Sequence, residues 1–205
     1  MNKRILYSPV ILLLAFVVNI GCQNDGYKIS EPTKLENEMI VTAGNQISMD
    51  LVKSLKSELK IAIQEGGLSE AINVCSLKAI PLTKVIAEHA DAENISIKRT
   101  SNKYRNPVNA PEKPETLALK HFEDLSASGK NLPEYYTQKI TKDGITYYNY
   151  YKPMKLEAVC LTCHGDATTI VPEVRNQIAE LYPEDKAVNY KEGDFRGLIR
   201  ITFPE

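Results

Sequence analysis

No charge of one sign dominates this chain, and that excludes one class of partner. Its 205 residues carry 25 Lys and Arg against 26 Asp and Glu, a formal charge of -1, so it is not a strongly basic nucleic-acid binder. Internal repeats are absent. The apolar run from Ile5 to Val18 is short for a membrane span and is interrupted by Tyr7, Ser8 and Pro9. Cysteine and histidine are scarce, at 4 and 3 residues, so few side chains can ligate a metal. What is present is 43% hydrophobic residues, enough for one packed domain with an appendage.

The appendage is N-terminal. Met1-Asn2-Lys3-Arg4 followed by the apolar run reads as a signal peptide over residues 1–21. It ends at Asn19-Ile20-Gly21-Cys22, which is similar to a lipoprotein cleavage site, although Asn19 stands where leucine is usual. Cys22 is then the acylated first residue of an exported protein, periplasmic or on the cell surface, lipid-anchored to a bacterial membrane. Polar residues 22–44 read as a flexible tether, and residues 45–205 as the folded domain.

The most specific local signal is Cys160-Leu161-Thr162-Cys163-His164-Gly165. C-x-x-C-H is the spacing at which two thiols add to the vinyl groups of a haem and the following histidine ligates the iron. Covalent haem attachment in bacteria takes place outside the cytoplasmic membrane, so an export signal supports the motif. Zinc would need about two more ligands at sensible spacing, and only Cys75, His89 and His121 remain. The motif therefore implies one covalently attached c-type haem, with its iron on His164.

The cysteine count raises a second question. With Cys22 on lipid and Cys160 and Cys163 on haem, Cys75 has no disulfide partner in the chain. A lone cysteine is ordinarily a small core residue. Cys75 instead lies in the stripe Leu68, Ile72, Cys75, Ala79, Leu82, Ile86 of an amphipathic helix, and the iron needs a sixth ligand. His89, His121 and Met154 are the other candidates. His89 suits a helix end, His121 a helix surface, and Met154 is too near Cys160 to fold back across the ring easily. Cys75 is favoured.

The remaining pattern is α+β. Ile47, Leu51, Leu55, Leu59 and Ile63 predict a helix from about Asn45 to Gln64, stopped by Gly66-Gly67, and Pro81 predicts a kink or restart in the helix that follows. Alternation predicts strands at Ile95–Arg99, Tyr135–Thr141, Ile145–Lys152 and Phe195–Phe203. Asp143-Gly144 marks a hairpin turn, and helices are expected at Pro114–Ala127 and Val171–Leu181.

Four segments resemble a known family: Ala71-Ile72-Asn73-Val74-Cys75-Ser76, then Arg99-Thr100-Ser101 through Arg105-Asn106-Pro107-Val108-Asn109-Ala110-Pro111, then the C-x-x-C-H-G segment, and Gly193-Asp194-Phe195-Arg196-Gly197. In that order, across about residues 45–205, they are similar to the periplasmic c-type haem domains with a PAS-like fold that occur alone or as sensor regions of bacterial signalling proteins. The resemblance implies a PAS-like antiparallel sheet with an N-terminal helical region, and axial ligation by His164 and Cys75. The family's acidic-aromatic residues after the Asn-Ala-Pro element are here Glu112-Lys113-Pro114-Glu115, without tryptophan. Arg105 and Arg99 are candidates to pair with haem propionates; the alternative is a solvated face.

An anionic thiolate favours ferric iron, and its loss on reduction would open a site for a small gas or move the Cys75 helix. The expected function is a redox or gas sensor module with a redox or signalling protein partner, since the sequence contains no kinase, cyclase or membrane-spanning output segment. The alternative is a low-potential single-haem electron-transfer cytochrome. With both axial positions filled and no acid/base constellation near the motif, an enzyme is not expected.

Overall fold

A computed structural model describes residues 26–90 and 94–205 of the chain; the signal-peptide and Cys22 expectations fall on residues outside these. Five antiparallel strands form one sheet: β1 (Tyr27–Ser30), β2 (Ser96–Thr100), β3 (Tyr136–Lys142), β4 (Ile145–Lys155) and β5 (Phe195–Pro204), in the order β1-β3-β4-β5-β2. Asp143 and Gly144, both at positive φ (51° and 82°), make the β3–β4 turn, as an Asp-Gly pair favours. Helices α1 (Lys34–Asn73) and α2 (Ala79–Glu88) precede or flank β2, α3 (Lys113–Ala127) follows it, and the short α4 (Leu161–His164) and α5 (Pro172–Leu181) lie between β4 and β5. This is the α+β, PAS-like arrangement the sequence implied.

Period-2 alternation gives each face of the sheet its own cover. Tyr148, Tyr150, Ile199 and Ile201 pack with Ile40, Ile47 and Leu51 of α1. Tyr151 and Leu198 point the other way, into Ala118, Leu119 and Phe122 of α3. A helix lies on both sides, so β4 is buried without interruption from Tyr148 to Tyr151. At the closest approach of α1 to the sheet, a Cβ on Gly44 would lie 2.4 Å from the Tyr150 ring. The residue there has to be glycine for the helix to sit so near.

The N-terminal expectation needs correction. From Tyr27 onward the expected tether is ordered structure: β1, then the opening turns of α1, which starts at Lys34 rather than near Asn45. The cause is a capping box. Thr33 accepts from the Glu36 amide and Glu36 accepts from the Thr33 amide. Glu36 also receives Lys139 Nζ at 2.7 Å and Tyr148 Oη at 2.6 Å, which dock the helix start on β3 and β4. These bonds hold its carboxyl down to about 2, led by Lys139.

Gly66 remains helical, and Gly67 alone, at φ 70°, breaks α1 into two limbs. The second limb runs back along the first: Lys78 reaches Glu58 at 3.3 Å, and Ile86 packs on the Ile47–Leu51 cluster. Between the limb and α2, Val74–Lys78 form a π-helical turn, with the Ala79 amide bonded to Val74 O. Pro81 lies in the first turn of α2, next after the π-helical turn, and cannot donate to that preceding turn. The helix thus restarts just before the proline, as expected.

Two outcomes test these contacts. Gly197 on β5 has φ 147°, and a Cβ there would lie 2.4 Å from Thr100 O; Gly197→Ala should destabilise by about 2–3 kcal/mol, read as a lowered urea midpoint at unchanged slope. Because the folded pKa of Glu36 is depressed, its contribution is fully present above the unfolded value near 4.5 and is lost as pH falls towards about 2. The melting-temperature gap between wild type and Glu36→Gln should therefore close across that window and stay constant above it.

Candidate haem site

Beyond Lys155 the chain leaves the sheet, with the Leu156 amide bonded to Asp194 O and the Gly193 amide to Leu156 O. A 3-10 turn (Ala158–Cys160) runs into α4. In such tight turns residues three apart share a side, so Cys160 and Cys163 face the same cavity. That cavity, of about 140 Å³, lies between the motif and the helical hairpin. Leu59, Ile63, Leu68 and Ile72 line it from α1, Leu156 and Val159 from the motif side, and Cys75, Arg105, His164 and Tyr182 complete it. Lys56 of α1 pairs with Glu157 across its edge.

The structure thus brings Cys75 to Cys160, Cys163 and His164. Cys75 belongs to the π-helical turn, and its exposed surface opens onto the cavity. The thiol is crowded as well as exposed. Burial pushes it up, while Arg99 and Arg105 pull it down. Cys163 is likewise raised by burial and lowered by Arg105. The other candidate ligands are elsewhere. His89 caps α2 through Val85 O and lines a separate groove with Asp50 and Leu82. His121 stacks on Tyr136 at 4.8 Å beside Phe122, in the layer that α3 forms on the sheet. Met154 faces a groove formed with Val52 and Leu55.

His164 is held by a strap, Asp185–Tyr190. Its Nδ1 lies 2.7 Å from Ala187 O, which makes that nitrogen the N–H donor and leaves Nε2 for a ligand. Tyr190 N donates to His164 O, and Asn189 N donates to Gly165 O. Burial first, then the nearby Arg105 and Arg196 cations, hold the imidazole down to about 3, so it is neutral.

Arg105 has a second assignment beside its expected one. Its Nη2 donates to Cys163 O (2.6 Å) and Ala187 O (3.3 Å) and pairs with Asp185 Oδ2 at 3.1 Å. Its buried Nε has no partner. Arg99 projects from β2 towards the hairpin, because Lys98 and Thr100 on either side turn to Glu115. Burial lowers its pKa, and Cys75 is the larger of the influences that raise it. Asp185, Ala187 and Tyr190 were not anticipated: Pro183-Glu184-Asp185-Lys186 reads as a turn, and nothing in its spacing points to Arg105.

The donor set fits a c-type haem better than a lone ion. Among the described residues no three His, Cys, Asp or Glu side chains converge to hold a metal by themselves. The sulfur and imidazole groups instead ring an apolar space, with paired thiols on one side and an unpartnered guanidinium nitrogen at the wall.

The model of the Tll0287-like family matches residues 29–204, from β1 through β5. Among solved structures the chain is similar to the cyanobacterial heme-protein Tll0287, with 28% identity, a TM-score of 0.54, and coverage of 86% of this chain and 98% of that one. No curated protein matches it.

Arg105→Ala should cost about 3–5 kcal/mol, because it leaves Asp185 without its ion-pair partner and removes the bonds to Cys163 O and Ala187 O. Arg105→Lys should recover little of this, since an ammonium lacks the planar fork. Thermal denaturation of both variants checks it.

Proposed function

The chain belongs to the Tll0287-like family, and from that premise we propose that it is a haem-binding redox or gas sensor, with one haem attached through Cys160 and Cys163 and ligated axially by His164 and Cys75. One observation carries the reading: Cys75, from the helical hairpin, lines the same cavity as the three motif side chains. The similar solved protein is itself a heme-protein. When bound, the haem supplies one-electron iron chemistry and, if a ligand leaves, a site for a small gas.

Each residue has a distinct part. The two motif thiols anchor, and His164 presents Nε2 because Ala187 O occupies Nδ1. Arg105 Nε and the Arg99 guanidinium offer charge-assisted donors to propionates. Cys75 supplies an anionic sulfur that favours the oxidised metal, and Arg99 and Arg105 offset the cost of burying that charge. Were a bound haem reduced, Cys75 would be the residue able to take up a proton and leave the metal. Cys75 sits in a π-helical turn, a feature frequent at functional sites. Release of its sulfur would therefore relax that turn and shift α2, a conformational output for a protein partner. With His164 and Cys75 both holding the iron, these residues would serve binding and signalling rather than turnover. Export and acylation at Cys22 complete the proposal, placing the domain on the outer side of a bacterial membrane.

A redox titration of the loaded full chain followed by absorption and EPR tests this. The ferric form should carry a thiolate-imidazole signature that Cys75→Ala abolishes, with a rise in reduction potential. Unchanged axial ligation in that variant would sink the Cys75 assignment. The haem should stay with the wild-type chain on denaturation and dissociate from the Cys160→Ala/Cys163→Ala double variant. The reduced protein should bind CO; two ligands retained on reduction, no CO adduct and fast electron exchange would identify a low-potential electron carrier instead.

A further inference from the structure

Three free thiols, Cys75, Cys160 and Cys163, line one cavity. C-x-x-C-H needs only two of them for covalent attachment. Packing selects a partner. Cys163 packs against the apolar cluster in which Ile72 meets Ile170, Val174 and Ile178, and Ile72 lies one turn before Cys75 on the same face of that limb. Cys163 therefore borders the limb that leads into Cys75, and both line the same cavity. Cys75 is the most exposed of the three, and the wider π-helical turn beneath it gives its backbone latitude that a regular helix would lack.

We propose that Cys75 is a thiol-redox modification site: in the haem-free chain it forms an intramolecular disulfide with a motif cysteine, Cys163 by packing, and so blocks haem attachment until a thiol reductant reopens it. The final clause rests on the haem reading; the disulfide does not. The oxidant is a disulfide, small-molecule or protein. The Cys75 thiolate attacks one of its sulfurs and releases the first thiol. The Cys163 thiolate then attacks the Cys75 sulfur of the mixed disulfide and releases the second. Two protons and two electrons pass from the protein thiols to the oxidant, and a dithiol reverses the step. Thioether formation adds each motif S–H across a vinyl group, so a sulfur held in a disulfide cannot take part. The same bond would also occupy the proposed sixth ligand.

The full chain, prepared without haem and equilibrated in glutathione redox buffer, is alkylated, digested and mapped by mass spectrometry. A bridge from Cys75 to a motif cysteine, with loss of two hydrogens, is expected and should vanish in Cys75→Ser. A bridge confined to Cys160–Cys163, a bridge from Cys75 to Cys22, or three free thiols would overturn the proposal. In a second arm, oxidised and reduced wild-type chains are offered ferrous haem, and only the reduced chain should acquire thioether bonds. If the Cys75 bridge maps but neither chain takes haem, the haem reading fails and the modification site stands. If haem attaches equally to both, the block is overturned and the haem reading stands.

Discussion

Arg105 joins three segments that otherwise meet through a few backbone bonds: the loop after β2, the C-x-x-C-H turn and the strap before β5. Its guanidinium meets Cys163 O, Ala187 O and Asp185 at one point. The same carbonyl of Ala187 orients His164. A buried charge of this kind adds little net stability against an apolar substitute, but losing one member is costly because the other is left unpaired. That asymmetry makes Arg105 costly to remove beside His164. The imidazole is neutral and fixed in one tautomer because two chain segments and an arginine converge on it.

The opposite wall of the cavity follows different physics. It is a helical hairpin that rests on the sheet through apolar side chains and a glycine, with polar ties from Glu36 and Asn45 to the sheet and from Lys56 to Glu157 of the motif side. Directional bonds converge on the His164 ring itself, whereas Cys75 is carried on a π-helical turn of a hairpin whose broad contact with the sheet is apolar. Packing of this sort admits small shifts of a whole helix at modest cost. The proposed movable ligand is Cys75, on that side, and the proposed fixed one is His164.

Much of this was legible in the sequence where order is local. Asp143-Gly144 predicted its hairpin, and the helices at α3 and α5 and the strand at β5 came within a residue or two of their expected bounds. The N-terminal segment was misjudged because its polar composition outweighed a capping box, Thr33 to Glu36, whose value depends on Lys139 and Tyr148 far along the chain. Of the site, Cys160, Cys163 and His164 were plain, and the helix phase placed Cys75 on an apolar face. Arg105 was expected near propionates, but its bonds to Cys163, Ala187 and Asp185 were not foreseeable. Each runs between segments that do not share a turn.

The amino-acid sequence by itself determined the donors and their local spacing: two thiols and an imidazole within one helical turn, and a further thiol on an apolar stripe. Bond geometry and helix pitch set such spacings within a few residues. Only the tertiary structure decided that Cys75, rather than His89, His121 or Met154, faces the motif across one cavity. It also decided that the strap leaves the Nε2 atom of His164 free. Those outcomes depend on where Gly67 turns the hairpin and how it packs on the sheet, and packing between distant elements leaves no periodic mark in the chain.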